Sequence, residues 1–381
     1  MNTQYLLHFC KTHWPYFIFI TFCFFILVQA FYYIFFFCRI LLYRSKKKEQ
    51  TQTHPISVII CARDEAANLA DFLPGVLVQN YSTTHEVIVV NDNSYDDSKY
   101  FLEELRKTFK HLKVIELKQE AELIPGKKFP LAVGIKSAKY EIMLLTDADC
   151  LPATESWITS MQSCYTENTE IVLGYSPYIK KPGLLNKIIR WETFYTAMQY
   201  LTYALAGIPY MGVGRNLSYK KTLFNKQKGF STHNHIPGGD DDLFINQVAN
   251  KKNTAINIDK DSFVLSKPAS SWKQWIQQKR RHYTTGRFYK RKHKLLLGLY
   301  ALSQFLIYPL AITTCIFYDW RLGSIIFGGR LLLFCIVNIA GLKKLDEKDL
   351  IPGILFFDIW MFFYYLIFSI SLVKKPKQYW K

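Results

Sequence analysis

Two groups of acidic residues, far apart in the sequence, have the composition of a site that binds a cation or handles a proton. In the first group, Asp147 and Asp149 follow the apolar run 142–145. Residues i and i+2 of an extended chain point the same way, so both carboxylates can face one divalent ion. Oxygen ligands of this kind suit Mg2+ or Mn2+. Asp is also a common turn former, so an Asp-rich turn after a strand is the alternative.

The second acidic group is the run Asp240 to Asp242 in the segment GGDDDLFIN. Three adjacent carboxylates repel one another, and their grouping indicates a proton-handling or cation-facing role. The alternative is the N-terminus of a helix, where Asp is favourable by some tenths of a kcal/mol. Both interpretations can hold at once.

The segment 272–294 is the most basic part of the chain. It contains nine Lys and Arg residues and no acid. A basic helix beside a membrane, held by anionic lipids, accounts for most of these charges.

The elements that would hold these residues alternate between strand and helix. β-branched apolar runs predict buried strands, and amphipathic segments between them predict crossover helices. The predicted strands are 56–61, 86–90, 113–117 and 142–145, and the helices are 64–78, 98–109 and 129–138. This pattern predicts an α/β fold with a doubly wound, mostly parallel sheet. A ligand would lie at the carboxyl ends of its strands, over the loop from Ala62 to Glu65 and beside Asp92.

Long apolar segments at both ends of the chain are long enough to cross a bilayer. The first is 14–42, and three more are 295–318, 322–342 and 350–373. Arg44 and Lys46 to Lys48 follow the first span and place the middle of the chain in the cytoplasm. The expected division is an anchor at 1–49, a cytosolic domain at 50–294 and a membrane region at 295–381. Lys374, Lys375 and Lys377 would then lie outside, against the positive-inside rule, unless one span is re-entrant or interfacial.

Charge and cysteine content narrow the class of protein further. The net charge is +18, but the basic residues lie beside apolar spans. This distribution favours an anionic membrane surface over nucleic acid as the partner. The eight cysteines show no CxxC pair and no zinc-type spacing, so we expect reduced thiols without a disulfide framework.

Three segments, taken in order, resemble the membrane-anchored family 2 glycosyltransferases of the GT-A fold, which has a Rossmann-like sheet. They are ISVIICARDEAANL, EVIVVNDNSYDD and GKKFPLAVGIKSAKYEIMLLTDAD. The resemblance implies an inverting transfer from a nucleotide diphosphate sugar, such as a uridine diphosphate sugar, with Mg2+ or Mn2+ as cofactor. Asn91 departs from the family, which often has a second Asp there. The implied acceptor is a lipid or lipid-linked saccharide at the bacterial inner membrane; a processive polysaccharide synthase and a catalytically silent scaffold are the alternatives.

The resemblance also assigns roles to residues. The donor side would include Ala62, Arg63, Glu65, Asp92, Lys127 and Asp147, with Asp149 as the chief metal ligand and Asp147 assisting. The sequence from Gln278 to His282 is similar to the QxxRW signature, with His in place of Trp; there Arg281 would contact the diphosphate. The base would be Asp240, or Asp241 if the family's acidic pair is aligned directly.

On the acceptor side, the segment YMGVGRNLSYKK resembles the glycine-containing acceptor loop of the family. Gly212 and Gly214 would allow a sugar or phosphate to approach the backbone, with Arg215 and Asn216 beside them. An aromatic helix at 184–205 could lie in the membrane interface or in an ordinary core. In the membrane region, Arg330 falls in mid-span, where Asp358 of the next span is its expected partner.

Overall fold

The computed structural model describes residues 3–44, 54–118 and 126–373 of the chain. The basic residues expected to stop the first span, Lys46 to Lys48, and the terminal lysines from Lys374 lie outside the described residues. The chain divides into two compact units. Within the described residues, one unit combines the segment up to Leu42 with Arg291–Ser371, and the other is formed by Tyr43–Lys290.

The second unit is built around a mixed sheet of seven strands and a separate two-stranded sheet. The order of the large sheet is β3-β2-β1-β4-β7-β6-β8, and β5 pairs with β9 in the small one. The strands are β1 Ile56–Ala62, β2 His85–Asp92, β3 Leu112–Leu117, β4 Ile142–Leu145, β5 Cys150–Pro152, β6 Ile171–Gly174, β7 Leu217–Lys220, β8 Thr254–Asn257 and β9 Val264–Ser266.

Helices connect these strands and form the whole of the first unit. Crossovers between parallel strands cover the sheet, which is why β1 and β4 are buried at every position. The α-helices are α1 Thr3–Phe31, α2 Cys38–Leu42, α3 Ala66–Leu77, α4 Ser98–Thr108, α5 Lys128–Ser137, α6 Trp157–Gln162, α7 Leu184–Leu205, α8 Lys221–Lys226, α9 Asp242–Val248, α10 Trp272–Tyr283, α11 Arg291–Phe317, α12 Trp320–Lys344 and α13 Ile354–Val373. The expected α/β class is confirmed.

The ends of four strands lie at one edge of the sheet. Strands β1 to β4 run parallel, whereas β7 runs antiparallel to both of its neighbours. Leu145, the last residue of β4, pairs with Leu217, the first residue of β7. The residues just before Leu217 therefore lie at the same edge as the residues that follow β1, β2 and β4. This topology brings the glycine-containing loop to the Asp147–Asp149 pair.

The aromatic helix α7 is a core helix of the second unit. Trp191, Phe194, Tyr195, Tyr200 and Tyr203 are all buried within the protein. Of the two expected placements, the membrane interface does not apply to these rings, because they already pack against protein. The sequence could not separate the two cases, since both require an apolar aromatic face.

In the first unit, four of the described helical segments are long and apolar enough to cross a membrane. They are His13–Leu42, Arg291–Phe317, Trp320–Lys344 and Lys348–Phe368. Their exposed surface is rich in large apolar side chains such as Leu27, Ile34, Ile325 and Leu332. Such a surface is stable in lipid rather than in water.

Arg330 and Asp358 form the expected ion pair inside this unit. The side chains are 1% and 0% exposed, and two guanidinium nitrogens donate to the carboxylate. Arg330 also donates to Gln29 at 2.6 Å and to Gln304 at 3.1 Å, and Tyr308 donates to Asp358 at 2.7 Å. The network joins α1, α11, α12 and α13. Every charge in it is therefore compensated by hydrogen bonds as well as by its counter-ion.

Replacing Arg330 with methionine is expected to destabilise the first unit by about 3–5 kcal/mol, because Asp358 would stay buried without its counter-ion. The measurement is denaturant unfolding of the detergent-solubilised protein. The double variant Arg330→Met/Asp358→Leu should recover most of the loss, since it buries no lone charge. Equal stability of the parent and Arg330→Met would contradict this role.

Candidate active site

The acidic pair after β4 lies in a tight turn at the sheet edge. The amide of Cys150 donates to the carbonyl of Asp147 at 3.2 Å, and the amide of Lys267 donates to the carbonyl of Asp149 at 3.1 Å. These bonds fix the turn, so the two carboxylates share one face. Ligand atoms of Asp147, Asp149 and Cys150 lie within 4.8 Å of one another. Two carboxylates at this spacing fit one hard divalent cation.

Lys127, one of the expected donor-side residues, forms an ion pair with Asp147. Burial raises the pKa of Asp147, but the ammonium of Lys127 outweighs it and holds that pKa below the usual value, with smaller help from Arg215 and Arg281. For Asp149, burial comes first and the charge of Asp147 second, and together they raise its pKa. A cation at Asp149 would relieve this repulsion.

The proposed nucleotide end of the site lies at the ends of β1 and β2. Asp92 is buried as the last residue of β2, with the guanidinium of Arg63 4.0 Å from its carboxylate. The side chain of Ala62 is buried in the sheet, so only its backbone can reach a ligand. Asn91, the departure from the family, donates to the carboxylate of Glu116 at 2.8 Å. An Asp at position 91 would instead place two carboxylates in contact.

Glu65 follows β1 and lies near the acidic pair. Its carboxylate accepts a hydrogen bond from Asn68. Burial raises the pKa of Glu65, with smaller contributions of the same sign from Asp149 and Asp147. The residue therefore adds to the negative field at the proposed metal site.

Arg215, an expected acceptor-side residue, lies near the acidic pair after β4. Its guanidinium lies over the ring of Tyr178, 4.4 Å from the centroid. Its charge helps to lower the pKa of Asp147 and partly offsets the rise in the pKa of Asp149. Gln278 reaches the hydroxyl of the same tyrosine at 3.4 Å. Nη1 of Arg215 and Oε1 of Gln278 are buried without a hydrogen-bond partner in the described part of the chain. Two orphaned polar atoms beside one ring indicate a place for a polar ligand.

Two further residues of the glycine-containing loop, Gly212 and Asn216, pack or hydrogen-bond inside the protein. A side chain at Gly212 would meet Leu217, Leu173 and Ile245 at 3.0–3.3 Å, so this glycine is needed for packing. Asn216 is 0% exposed, accepts from the indole of Trp157 at 3.1 Å and donates to two backbone carbonyls. These contacts bind the amide of Asn216 to the protein interior.

The three aspartates of the acidic run lie in three different environments. Asp240 is half-buried and makes no hydrogen bond within the described residues. Asp241 is the N-cap of α9 and accepts from the amides of Asp242 at 2.6 Å and Gly214 at 2.8 Å. Asp242 is buried and accepts from Thr285 at 2.5 Å and Tyr289 at 2.7 Å. The helix cap, Asp241, and the carboxylate without a hydrogen bond among the described residues, Asp240, are thus different residues. The amide of Gly214 donates to the cap.

Burial, together with the charges of Asp240 and Asp242, raises the pKa of Asp241 to about 8 from an ordinary value of 3.8. Folding therefore favours the protonated form, and the stability due to this group falls as pH rises from about 4 to about 8. Asp241→Asn keeps a capping oxygen and removes the charge. Relative to the parent, the variant should gain melting temperature between about pH 5 and about pH 8, measured in EDTA. An equal pH dependence of both proteins would contradict this.

The basic helix α10 is anchored to the second unit on one side and exposed on the other. Trp275 is buried, and Lys279 forms a buried ion pair with Glu192 of α7. Arg281 and His282 are exposed on the last turn. The anchor leaves these two side chains free to meet a ligand, with Arg281 close enough to lower the pKa of Asp147.

Several residues near the site could not be predicted from a motif in the sequence. Lys128 is 1% exposed and donates to the carbonyls of Ile236 and Gly238, which fixes the loop before Asp240. Tyr178 lies in a segment without a motif, and its role follows only from the contacts with Arg215 and Gln278. The contact of Thr285 and Tyr289 with Asp242 spans more than 40 residues of sequence.

Comparison with solved structures places this fold among the GT-A-like transferases. A mannosyltransferase from Pyrobaculum calidifontis, solved in complex with GDP-Man and Mn2+, superposes with a TM-score of 0.58 over 90% of this chain and 98% of its own. The identity is 16%, so the similarity concerns the fold. Residues 57–229 match glycosyl transferase family 2. The chain therefore contains a glycosyl transferase family 2 domain.

Curated relatives align with part of the chain. A poly-beta-1,6-N-acetyl-D-glucosamine synthase of Staphylococcus epidermidis is 33% identical over 127 residues, which are 32% of this chain and 29% of the relative. A beta-monoglucosyldiacylglycerol synthase of Trichormus variabilis is 30% identical over 114 residues, which are 29% of this chain and 24% of the relative. The chain thus spans less than a third of the length of either relative.

Proposed function

We propose that this protein is an inverting glycosyltransferase that moves a sugar from a nucleotide diphosphate donor to a lipid or lipid-linked saccharide at a membrane. The observation that carries the proposal is the Asp147–Asp149 pair with Arg215 beside it, where buried polar atoms of Arg215 and Gln278 next to Tyr178 lack a partner among the described residues. A charged diphosphate needs such a mixture of cations and metal-ligating carboxylates.

In this account the donor lies with its nucleoside over Arg63 and Asp92 and its diphosphate toward Arg215 and Arg281. Asp149, with Asp147 and Lys127 beside it, would hold Mg2+ or Mn2+. When bound, the ion would neutralise negative charge on the leaving nucleoside diphosphate. The uridine preference follows from the family resemblance, whereas the mannosyltransferase of similar fold was solved with GDP-Man.

Asp240 is the proposed base. Its carboxylate takes the proton of an acceptor hydroxyl while that oxygen forms a bond to the anomeric carbon. The bond from this carbon to the diphosphate oxygen breaks, and its electrons leave with the nucleoside diphosphate. Attack from the face opposite the leaving group inverts the anomeric carbon, and no covalent sugar intermediate is needed.

The acceptor class is supported by the four apolar helical segments and by the lipid glycosyltransferase among the relatives. We place the catalytic unit in the cytoplasm, at the inner face of a bacterial membrane, where anionic lipids can hold the basic residues of α10. A processive polysaccharide synthase is the second candidate, and the relative from Staphylococcus epidermidis favours it.

Labelled nucleotide sugars, supplied to the protein in native lipid extract with Mn2+, would separate the two candidates. Label in a small lipid-extractable product supports the lipid acceptor. Label in a high-molecular-weight polymer supports the synthase. A protein that binds nucleotide and transfers label to neither is the silent scaffold, and the proposed reaction would then be abandoned.

A further inference from the structure

Asp242 connects the acidic run to the basic segment that carries Arg281. Its carboxylate is 8% exposed and accepts from the hydroxyls of Thr285 at 2.5 Å and Tyr289 at 2.7 Å. The second oxygen accepts from the amide of Leu243 at 2.7 Å. Both oxygens of Asp242 are therefore bonded within the protein, and these bonds lead from α9 to the segment after α10.

The two hydroxyls lie directly after the turn that presents Arg281 and His282. Thr285 is also 2.8 Å from the carbonyl of His282, and Thr284 donates to the carbonyl of Arg281 at 2.7 Å. Both threonines are buried. The two threonines thus hold the last turn of α10 at its carboxyl end, and Thr285 links this turn to Asp242.

Further bonds tie the same two segments together and fix the approach to Asp240. The amide of Lys290 donates to Asn246 at 2.9 Å, and Asn246 in turn donates to the carbonyl of Tyr210 at 2.7 Å. On the other side, Lys128 holds the carbonyls of Ile236 and Gly238, just before Asp240. The proposed base and the proposed leaving-group cation are therefore held in one hydrogen-bonded frame, in which Asp242 lies two residues from Asp240.

We propose that Asp242, through Thr285 and Tyr289, is a positioning residue that fixes Arg281 relative to Asp240; this inference rests on the proposed function. Attack and departure occur on opposite faces of the same carbon, so the base and the cation must keep a fixed separation. A displacement of about 1 Å in such an arrangement can cost roughly a hundredfold in rate. The three residues of the acidic run thus have different roles: Asp240 is the base, Asp241 the helix cap and Asp242 the positioning carboxylate.

Tyr289→Phe and Thr285→Val remove the hydroxyls with little change of shape. Each variant is expected to lower the kcat for sugar transfer roughly 10- to 100-fold. Thr285→Ser, which keeps the hydroxyl, should restore the parent rate. Tyr165→Phe is the matched control, because it removes another buried tyrosine hydroxyl bond, to Ser218 at 2.7 Å, elsewhere in the unit. It should leave kcat unchanged.

The decisive test combines Tyr289→Phe with Arg281→Ala in a double-mutant cycle. If the hydroxyl acts through Arg281, Tyr289→Phe should lower kcat less than about twofold when Arg281→Ala is already present. Full additivity of the two losses would overturn the positioning role and leave the proposed function intact. If the parent transfers no sugar from any donor, the proposed function fails instead. In that case the Kd for UDP and GDP is measured for the parent, the two single variants and the double variant. Coupled losses of affinity support the positioning role, and additive losses overturn it.

Discussion

Replacing Asp240 with asparagine is expected to lower sugar transfer by roughly 10^2- to 10^4-fold, the usual contribution of a general base. The amide keeps the size of the side chain but cannot take the acceptor proton. Because Asp240 makes no hydrogen bond within the described residues, the melting temperature should stay near that of the parent. The measurement is the initial rate of acceptor-dependent nucleoside diphosphate release, read beside thermal unfolding.

The neighbouring residue gives a matched control for this prediction. Asp241→Asn keeps one acceptor oxygen, for the amide of Asp242 or for that of Gly214, and so retains part of the N-cap of α9. It should retain a larger part of the activity than Asp240→Asn. The reverse order, with transfer lost in Asp241→Asn and kept in Asp240→Asn, would move the base to Asp241.

Replacing Asp149 with asparagine is expected to lower transfer at least about a hundredfold, because the site loses one of its two carboxylates for a divalent ion. The same change should weaken Mn2+ binding, which can be measured without substrate from the free Mn2+ signal in electron paramagnetic resonance. Burial and the charge of Asp147 both raise the pKa of Asp149, so the neutral variant should fold normally.

Asp71→Asn serves as the control for the loss of one carboxylate. Asp71 is exposed on α3, and its replacement should change neither Mn2+ binding nor transfer. If Asp149→Asn bound Mn2+ as tightly as the parent, the acidic pair would not be the metal site, whatever the effect on activity.

The sheet and the ends of its strands could be predicted from the sequence because each depends on a short local pattern. The run 142–145 is apolar at every position and is buried as β4, and the carboxylates directly after it lie at the sheet edge. The loop after β1 and Asp92 at the end of β2 reach the same edge for the same reason. Arg330 could be paired with Asp358 because a lone charge in mid-span has few partners.

The functions of the glycine-containing loop could not be predicted in this way. Gly212, Arg215 and Asn216 are near neighbours in the sequence, yet one packs against the core, one faces the acidic pair and one is a buried hydrogen-bonding hub. The antiparallel entry into β7 sends each side chain to a different surface. Only the pairing of Leu145 with Leu217 shows that this loop adjoins the carboxyl end of β4.

The acidic run was equally ambiguous, because a helix cap and a base have the same composition. The structure separates the cap, Asp241, from the half-buried carboxylate of Asp240 by their contacts. The third residue, Asp242, is explained by Thr285 and Tyr289, which no short pattern links to it.

Donor turnover tests the central claim most directly. The detergent-purified protein, in native lipid extract with Mn2+, would be given a panel of nucleotide sugars while released nucleoside diphosphate is measured. We predict release with one donor, stimulated by a lipid fraction and lost with chelator, in Asp149→Asn and in Asp240→Asn. Binding of a nucleotide without release from any donor would contradict the account and favour a silent sugar-nucleotide-binding protein.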